Sequence, residues 1–310
     1  MLAISGILPI KNGEHWISRN LPKILKTLSL DDELIVVDDG SSDNTYSLLS
    51  EQASKDQRIK ILRTTGVGLV EALNLAINQS ENSWLARFDI DDTYPENRIS
   101  IQREEIDSNT SVIFTDYRIR LNGGTNLGYI PSPITHLATK LSLLRSQRTA
   151  HPSALINKEK LLKVGGYLQS EFPAEDLGLW TRLSLIGSLK SVPINGLDYN
   201  FHRGSITRMN QDLISSKRDA IMKVYSKSLE MHEIFEALEE TRSSYKEVSL
   251  GNQRLILHLW DFLHPISCQS LGERKINSIQ RLLSLSLLNP RGSIAAGHLF
   301  AFKTLRSLLK

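Results

Sequence analysis

The sequence predicts an α/β fold with a mostly parallel central sheet, followed by a helical C-terminal region. Two observations lead to this prediction. Up to about residue 120, short apolar runs alternate with segments of helical spacing, a rhythm typical of a parallel sheet with helices on both faces. From residue 212 onward, nearly every segment has helical spacing. We therefore expect one α/β domain over residues 1–208 and a helical extension over residues 209–310.

Each element is read from the spacing of its apolar residues. A short apolar run predicts a buried strand, and apolar residues three and four apart predict a helix. The stretch 122–133 is rich in Gly and Pro and is predicted to be a loop. The predicted strands are 3–10, 33–37, 59–63, 84–88 and 111–118. The predicted helices are 14–29, 45–54, 67–79, 135–144, 158–164 and 177–186.

Acidic residues follow two of the predicted strands. Asp38 and Asp39 end the second strand, and Asp89, Asp91 and Asp92 follow the fourth. Ligands of open α/β sheets bind at the carboxyl ends of the strands. Since these ends share one edge of a parallel sheet, both acidic clusters are expected there.

The tetrad from Asp89 to Asp92 is the strongest candidate for a metal site. In a strand, alternate residues share a face, so Asp89 and Asp91 are expected to point the same way. Hard divalent cations take carboxylate and phosphate oxygens. The alternative is a solvated acidic turn that caps the following helix. An EF-hand is excluded, because Tyr94 and Ser100 occupy the positions of its Gly and Glu.

Other polar residues have two readings each. Asp39 either accepts hydrogen bonds from a nucleotide base or ribose, or belongs to a tight turn. Glu175 and Asp176 precede a predicted helix, so Asp176 is either its N-cap or a general base for an acceptor hydroxyl. Arg203 is either structural or a donor to a diphosphate.

Several classes of protein are excluded or disfavoured. A single Cys268 excludes intrachain disulfides and cysteine zinc clusters and suits a reducing compartment. No HExxH or Walker A motif is present, and Glu71 replaces the third glycine of a dinucleotide fingerprint. A net charge of +3 is too small to indicate nucleic-acid binding. No apolar run approaches the roughly 20 residues of a membrane span, so we expect a cytoplasmic chain unless a surface recruits it.

Taken together, the segments resemble the inverting glycosyltransferases of family 2, which have the GT-A (nucleotide-diphospho-sugar transferase) fold. The likeness covers about residues 3–208. Single pieces are weak, but their order and spacing are specific. The matching pieces are Ile7-Leu8-Pro9 with Asn12-Gly13, the run 35–45, the run 66–76, the run 86–92 with Pro95 and Arg98, His151-Pro152-Ser153, Gly165-Gly166-Tyr167 and the run 174–183.

The resemblance implies a role for each matching residue. Asp176, with Glu175 beside it, matches the catalytic base. Asp89, Asp91 and Asp92 match the Asp-x-Asp region that holds Mn²⁺ or Mg²⁺ against the donor diphosphate. The implied nucleotide-sugar-binding residues are Pro9, Lys11, Asn12, Asp39, Gly66, Asp89, Asp91 and Arg203.

Two departures from the family pattern refine these expectations. Lys11 stands where many members have an aromatic residue, which argues against base stacking there. The Gln-x-x-Arg-Trp motif of processive synthases is absent, which favours transfer of one sugar at a time.

The resemblance implies a UDP-sugar as the donor, because UDP is common in the family. The expected acceptor is a hydroxyl of a glycan or lipid-linked glycan in bacterial surface-polysaccharide synthesis.

Two functional alternatives stay open at this point. One is a nucleotidyltransferase that makes an activated sugar, although the segment 11–14 is not the Gly-rich basic loop typical of that class. The other is a nucleotide- or sugar-binding module with an inactive site.

The last forty residues suggest peripheral membrane association. Residues 271–310 contain seven basic residues and one acidic residue, a net +6, beside an apolar helical face. Such a segment suits an anionic membrane surface, at roughly 1 kcal/mol per well-placed basic residue. The alternative is an ordinary helical cap on the first domain.

Overall fold

A computed structural model describes residues 2–133, 136–144, 147–202 and 211–228. The sheet and its helices belong to a compact unit that ends at Tyr225. Residues 229–310, with the predicted membrane-associating segment, lie outside the described residues. In the described part of the chain, no helix is both long enough and apolar enough to cross a bilayer.

Strands and helices alternate as the spacing predicts. The described strands are β1 (Ser5–Ile10), β2 (Glu33–Asp39), β3 (Ile59–Thr64), β4 (Trp84–Arg87), β5 (Thr110–Leu121), β6 (Thr125–Ile130), β7 (Leu155–Asn157) and β8 (Ser188–Phe201). The described helices are α1 (Glu14–Thr27), α2 (Thr45–Ala53), α3 (Leu69–Gln79), α4 (Arg98–Glu104), α5 (His136–Leu143), α6 (Lys158–Lys163), α7 (Glu175–Leu183) and α8 (Gln211–Ser228).

The strands form one mixed sheet with a parallel core. Its order is β3-β2-β1-β4-β7-β5-β6, and β8 pairs with β5. Strands β3, β2, β1 and β4 are mutually parallel. Strand β7 is antiparallel to both β4 and β5, so β5 also runs parallel to β4. The predicted α/β class with a mostly parallel sheet is confirmed.

The first strands are easy to predict from the sequence because they lie in the apolar core. Every residue of β1, β2 and β4 is buried, as expected for parallel strands covered on both faces. Leu8 and Val36 belong to one apolar cluster with Ile17, Leu21 and Ile24 of α1. Helix α3 packs against β1 and β2. Burying one such aliphatic side chain contributes roughly 1.5–3 kcal/mol.

The predicted loop over 122–133 is wrong in part, because it contains β6. Asn122 and Gly123 both have positive φ, 49° and 69°, and together they form the turn between β5 and β6. An Asn-Gly pair is a strong signal for such a hairpin turn. Strand β5 accordingly runs three residues past the predicted end at Arg118. Strands β7 and β8 were not predicted.

The second halves of β5 and β8 extend beyond the edge where β4 ends. Ala86 is level with Leu155 of β7, which is level with Ile113 of β5, so β5 continues well past the level of Arg87. There β5 pairs with β6 on one side and with β8 on the other. We call residues 117–121, 125–130 and 195–201 the strand extension. It stands beside the carboxyl edge of the parallel core.

Candidate active site

The loops after β1 and β2 are fastened together. The Asn12 N–H donates to Ser41 Oγ at 2.8 Å, and Asn12 Oδ1 accepts from the Ser42 N–H at 2.9 Å. Asn12 has φ 51°, a left-handed conformation that Asn tolerates better than most residues. The Gly13 N–H donates to Thr45 Oγ1 at 2.7 Å. Two predicted nucleotide-binding segments are therefore held at one place on the sheet edge.

Three of the predicted nucleotide-binding residues lie together there. A Cβ added at Gly66 would come within 3.4 Å of Lys11 Nζ and 3.9 Å of the Asp39 carbonyl oxygen. Gly40 packs so closely on this loop that an added Cβ would lie 2.7 Å from the Gly66 nitrogen. Pro9, by contrast, is buried within β1 and level with Val37 of β2.

Asp39 organises the loop that follows β3. Its Oδ1 accepts from Thr64 Oγ1 at 2.6 Å and from the Val67 N–H at 2.7 Å, and its Oδ2 accepts from the Gly68 N–H at 3.0 Å. Burial alone would raise the pKa of Asp39, but these hydrogen bonds and the Lys11 ammonium outweigh burial and lower it. The carboxylate is thus ionised, with one Oδ2 lone pair left to accept a further donor.

The acidic tetrad lies in a turn, so the strand geometry from which Asp89 and Asp91 were expected to share a face does not extend to them. Strand β4 ends at Arg87, and the backbone then turns, with the Asp92 N–H donating to the Asp89 carbonyl at 3.3 Å. Arg87 Nη2 donates to Asp89 Oδ1 at 2.7 Å. Burial, with Asp91 and Asp176 nearby, raises the pKa of Asp89, while the Arg87 guanidinium opposes the shift.

Asp91 faces a histidine from the end of β8. His202 Nε2 and Asp91 Oδ2 are 2.7 Å apart, and both side chains are partly exposed, at 21% and 27%. The hydrogen bond to Asp91 raises the pKa of His202. Carboxylate oxygen suits Mn²⁺ and Mg²⁺, and imidazole nitrogen is a ligand for several other first-row divalent metals. The pair sits at the carboxyl edge of the parallel core, beside Asp89.

The donor set fits a divalent cation that completes its coordination with substrate oxygens. Among the described residues, no three His, Cys, Asp or Glu side chains are arranged to hold a metal alone. Mg²⁺ and similar ions are usually held by one or two carboxylates together with substrate phosphates and water. Asp91 and His202, with Asp89 adjacent, provide such a partial set.

Asp92 points into the protein interior. Its side chain is 1% exposed, and its Oδ1 accepts from the Asn200 N–H of β8 at 2.7 Å. Burial and the neighbouring Asp91 raise its pKa well above the usual value. The predicted third metal residue therefore fastens the acidic turn to the strand extension, where Thr93 also bridges to Asp198.

The two carboxyl groups of the predicted catalytic pair differ in exposure. Helix α7 begins at Glu175 after Ala174 without a side-chain cap, so Asp176 lies in the first turn and the N-cap reading is wrong. Asp176 Oδ1 accepts from the Leu177 N–H at 2.7 Å, and its Oδ2 accepts from Gln147. Burial raises the pKa of Asp176, although these hydrogen bonds oppose it. Its side chain is only partly buried.

Glu175 lies deeper than Asp176. It is 6% exposed, and its Oε2 has no hydrogen-bond partner among the described residues. Burial and the adjacent Asp176 raise the pKa of Glu175 to about 7.

The structure brings most of the predicted site residues to one sheet edge. Lys11, Asp39 and Gly66 lie together at one place on this edge. The charges of Asp91 and Asp176 both raise the pKa of Asp89, so these three carboxyl groups are also near one another. Arg203 lies outside the described residues.

Sequence reasoning missed two residues of this site. His202 contacts Asp91 although the two are 111 residues apart in the sequence, and Gln147 contacts Asp176 although they are 29 residues apart. No local sequence motif predicts either contact. His202 directly follows β8, which leads to the same sheet edge. Only the recognition of β8 as a strand could have located His202 there.

A parallel core with acidic residues at the ends of two strands, and a partly exposed carboxylate at the start of α7, is the arrangement expected of an α/β transferase. The sequence profile of glycosyl transferase family 2 matches residues 5–165, about half of the chain. The chain belongs to glycosyl transferase family 2. The predicted resemblance is confirmed.

Known relatives agree with this assignment. The UDP-Glc:alpha-D-GlcNAc-diphosphoundecaprenol beta-1,3-glucosyltransferase WfgD of Escherichia coli is 33% identical over 132 residues, which cover 42% of this chain and 51% of that protein. The matched region thus spans about half the length of this relative.

Two solved structures share the fold. TarS residues 1–349 of S. aureus in complex with UDP-GlcNAc superposes with a TM-score of 0.58 at 19% identity, over 92% of this chain and 87% of that one. The mannosyltransferase PcManGT of Pyrobaculum calidifontis, in complex with GDP-Man and Mn²⁺, gives 0.54 at 15% identity, over 93% and 86%.

Proposed function

We propose that this glycosyltransferase moves one sugar from a UDP-sugar, with a divalent cation and inversion of the anomeric centre, onto a hydroxyl of a glycan or lipid-linked glycan. The observation that carries the proposal is the juxtaposition of the Asp91–His202 pair with Asp89 and, within electrostatic reach, Asp176. WfgD acts from UDP-Glc on a diphosphoundecaprenol-linked sugar, which supports a UDP donor and a lipid-linked acceptor in surface-polysaccharide synthesis.

The loops after β1, β2 and β3 bind the nucleotide. In this proposal Asp39 accepts a hydrogen bond from the base or ribose, while Lys11 supplies a positive charge beside Gly66. The loops are preorganised by the Asn12, Ser41 and Gly13 hydrogen bonds, so less ordering entropy is lost on binding.

Asp91 and His202 are the residues that would hold Mn²⁺ or Mg²⁺, with Asp89 adjacent. When bound, the cation supplies positive charge against the donor diphosphate as negative charge develops on the leaving group. Asp92 keeps the turn in place through Asn200. Arg87, fully buried, fixes the direction of the Asp89 carboxylate.

Asp176 takes the proton in the chemical step. The acceptor oxygen forms a bond to the anomeric carbon as the bond from that carbon to the diphosphate oxygen breaks. The hydroxyl proton passes to a carboxylate oxygen of Asp176, and the nucleoside diphosphate leaves with the bonding pair. Gln147 donates to Asp176 and holds its carboxylate in position for proton uptake.

A mass-spectrometric screen of nucleotide-sugars with and without Mn²⁺ tests the proposal. We expect metal-dependent release of UDP from one UDP-sugar, slow with water alone. Asp176→Asn is expected to lower acceptor-dependent turnover about 10²–10⁴-fold while UDP still binds. Release of pyrophosphate from UTP and a sugar phosphate would favour a nucleotidyltransferase. UDP binding without turnover of any donor would favour an inactive binding module.

The domain division at residue 208 and the membrane contact of residues 271–310 also remain proposals. The net positive charge of residues 271–310 supports the membrane contact. Flotation of the full chain with anionic liposomes is expected, and substitution of its basic residues by Gln at positions 274, 275, 281 and 291 is expected to abolish it. Undiminished flotation of that variant would contradict the membrane role.

A further inference from the structure

A pocket lies against the strand extension and shares Asp91 with the candidate active site. Its volume is about 170 Å³, and none of Lys11, Asn12, Asp39, Gly66 or Asp176 lines it. A small polar pocket of this kind suits a single sugar ring. Its lining residues are Trp16, Arg19, Asn20, Lys23, Asp91, Thr93, Arg120, Gly123, Asp198 and Asn200.

Two buried amides in the lining have an unused polar atom. Asn20, 1% exposed, donates through Nδ2 to the Ile90 carbonyl at 2.8 Å, and its Oδ1 has no partner among the described residues. Asn200, 3% exposed, accepts through Oδ1 from the Gly123 N–H, and its Nδ2 likewise has no partner there. Buried polar atoms are rarely left unsatisfied, and these two lining residues hold one acceptor, Asn20 Oδ1, and one donor, Asn200 Nδ2, that no described residue pairs.

The lining contains charges of both signs, with three cations, Arg19, Lys23 and Arg120, and two carboxylates, Asp91 and Asp198. Arg120 pairs with Asp198 at 3.2 Å, and Asp91 pairs with His202. Arg19 and Lys23 of α1 form no ion pair within the described part of the chain, and the Arg19 guanidinium lies about 3.8 Å from the position of a Cβ on Gly123. Two carboxylates in the wall disfavour a phosphate, whereas mixed donors and acceptors match the vicinal hydroxyls of a neutral sugar.

Trp16 adds an apolar surface to this polar lining. Its indole is half-buried, with its centroid 5.7 Å from that of His202. An indole face offers a large apolar area against which the C–H face of a pyranose packs. One aromatic ring among convergent donors and acceptors is a suitable set for a sugar.

We propose that this pocket binds a neutral pyranose residue of the acceptor glycan. The inference rests on the proposed function and deepens it, since it places part of the acceptor next to Asp91 on the side of α1 and the strand extension. Arg19 and Lys23 donate to sugar hydroxyls, Asp198 accepts from them, and the two amides complete the set. The enzyme thereby selects acceptors by a sugar outside the nucleotide site.

The test is ¹⁹F NMR of the full chain labelled with 5-fluorotryptophan. The chain has four tryptophans, and the Trp16 signal is assigned with Trp16→Phe. Methyl α- and β-glycosides of glucose, galactose, mannose, N-acetylglucosamine and rhamnose are titrated without donor, with inorganic phosphate as the anionic probe. At least one glycoside is expected to shift the Trp16 signal with a Kd on the order of 1–10 mM.

Two double variants separate the pocket from the general surface. Arg19→Ala with Lys23→Ala is expected to weaken the responding glycoside about tenfold, because hydrogen bonds from charged donors are lost. The control, Lys26→Ala with Lys55→Ala, removes two exposed cations that do not line the pocket and is expected to leave the Kd unchanged.

Each other outcome overturns the inference in a distinguishable way. If the same preparation hydrolyses a UDP-sugar but no glycoside moves the Trp16 signal, the pocket assignment fails and the proposed function stands. Equal glycoside binding by both double variants, or a response to phosphate in place of glycosides, also ends it. Glycoside binding without turnover of any donor overturns the proposed function and, with it, the acceptor role.

Discussion

Replacing Glu175 by Gln should stabilise the protein at neutral and alkaline pH. The carboxyl group is 6% exposed, and one of its oxygens has no partner among the described residues. Burial, with Asp176 adjacent, raises its pKa from 4.5 to about 7. Between these values the native state holds a proton that the unfolded chain has released.

The sign and the size follow from proton linkage. Because the unfolded state binds fewer protons across this window, the free energy of unfolding falls as pH rises from about 4.5 to about 7. The pKa difference of about 2.5 corresponds to at most about 3 kcal/mol at 1.36 kcal/mol for each pKa unit. Gln carries no charge, so Glu175→Gln is expected to gain about 1–3 kcal/mol at pH 8 and little at pH 4.

Urea denaturation at pH 4, 6 and 8, followed by tryptophan fluorescence, measures this difference. Glu104→Gln is the matched control, because Glu104 is exposed and should change the stability by less than about 0.5 kcal/mol at each pH. A Glu175→Gln protein that is less stable than wild type at pH 8, or a gain that does not depend on pH, would refute the reasoning.

Three further outcomes are expected. Gly40→Ala should cost about 2–3 kcal/mol in denaturant unfolding, because Gly40 has φ 66° and an added Cβ would lie 2.7 Å from the Gly66 nitrogen; an unchanged midpoint would contradict the close packing of these loops. Asp32→Ala should cost about 3 kcal/mol, since it breaks the buried ion pair of 2.8 Å with Arg103, and a loss below about 1 kcal/mol would show that the pair matters little. Lys11→Met should weaken UDP about fivefold in titration calorimetry at low salt and less at high salt, whereas equal affinities would remove Lys11 from the nucleotide site.

Strands β1 to β4 could be predicted because the local pattern of apolar residues indicates each of them. Strands β1, β2 and β4 are short runs that are buried along their whole length. Strands β1, β2 and β3 are each followed by a helix whose apolar spacing is visible in the sequence. The acidic residues after β2 and β4 then fall at one edge by topology alone. The positions of Asp39 and Asp89 on the same sheet edge therefore follow from the sequence.

The strand extension could not be predicted in the same way. Strand β8 contains Pro193 and Gly196 and mixes polar with apolar residues, and it exists because its residues pair with β5 far away in the chain. The Asp91–His202 contact depends on this pairing, since β8 delivers His202 to the acidic turn. The turn at Asp89–Asp92 likewise depends on the Asp92 contact with Asn200, which no local pattern contains.

The central claim is that Asp39 and Asp91 serve one nucleotide while Asp176 takes the proton. Titration calorimetry of UDP with and without Mn²⁺, on wild type, Asp39→Asn, Asp91→Asn and Asp176→Asn, tests it most directly. Asp39→Asn should weaken UDP about tenfold under both conditions, Asp91→Asn should abolish only the gain that Mn²⁺ provides, and Asp176→Asn should bind UDP as wild type does. An Mn²⁺-dependent gain that survives in Asp91→Asn would contradict the account.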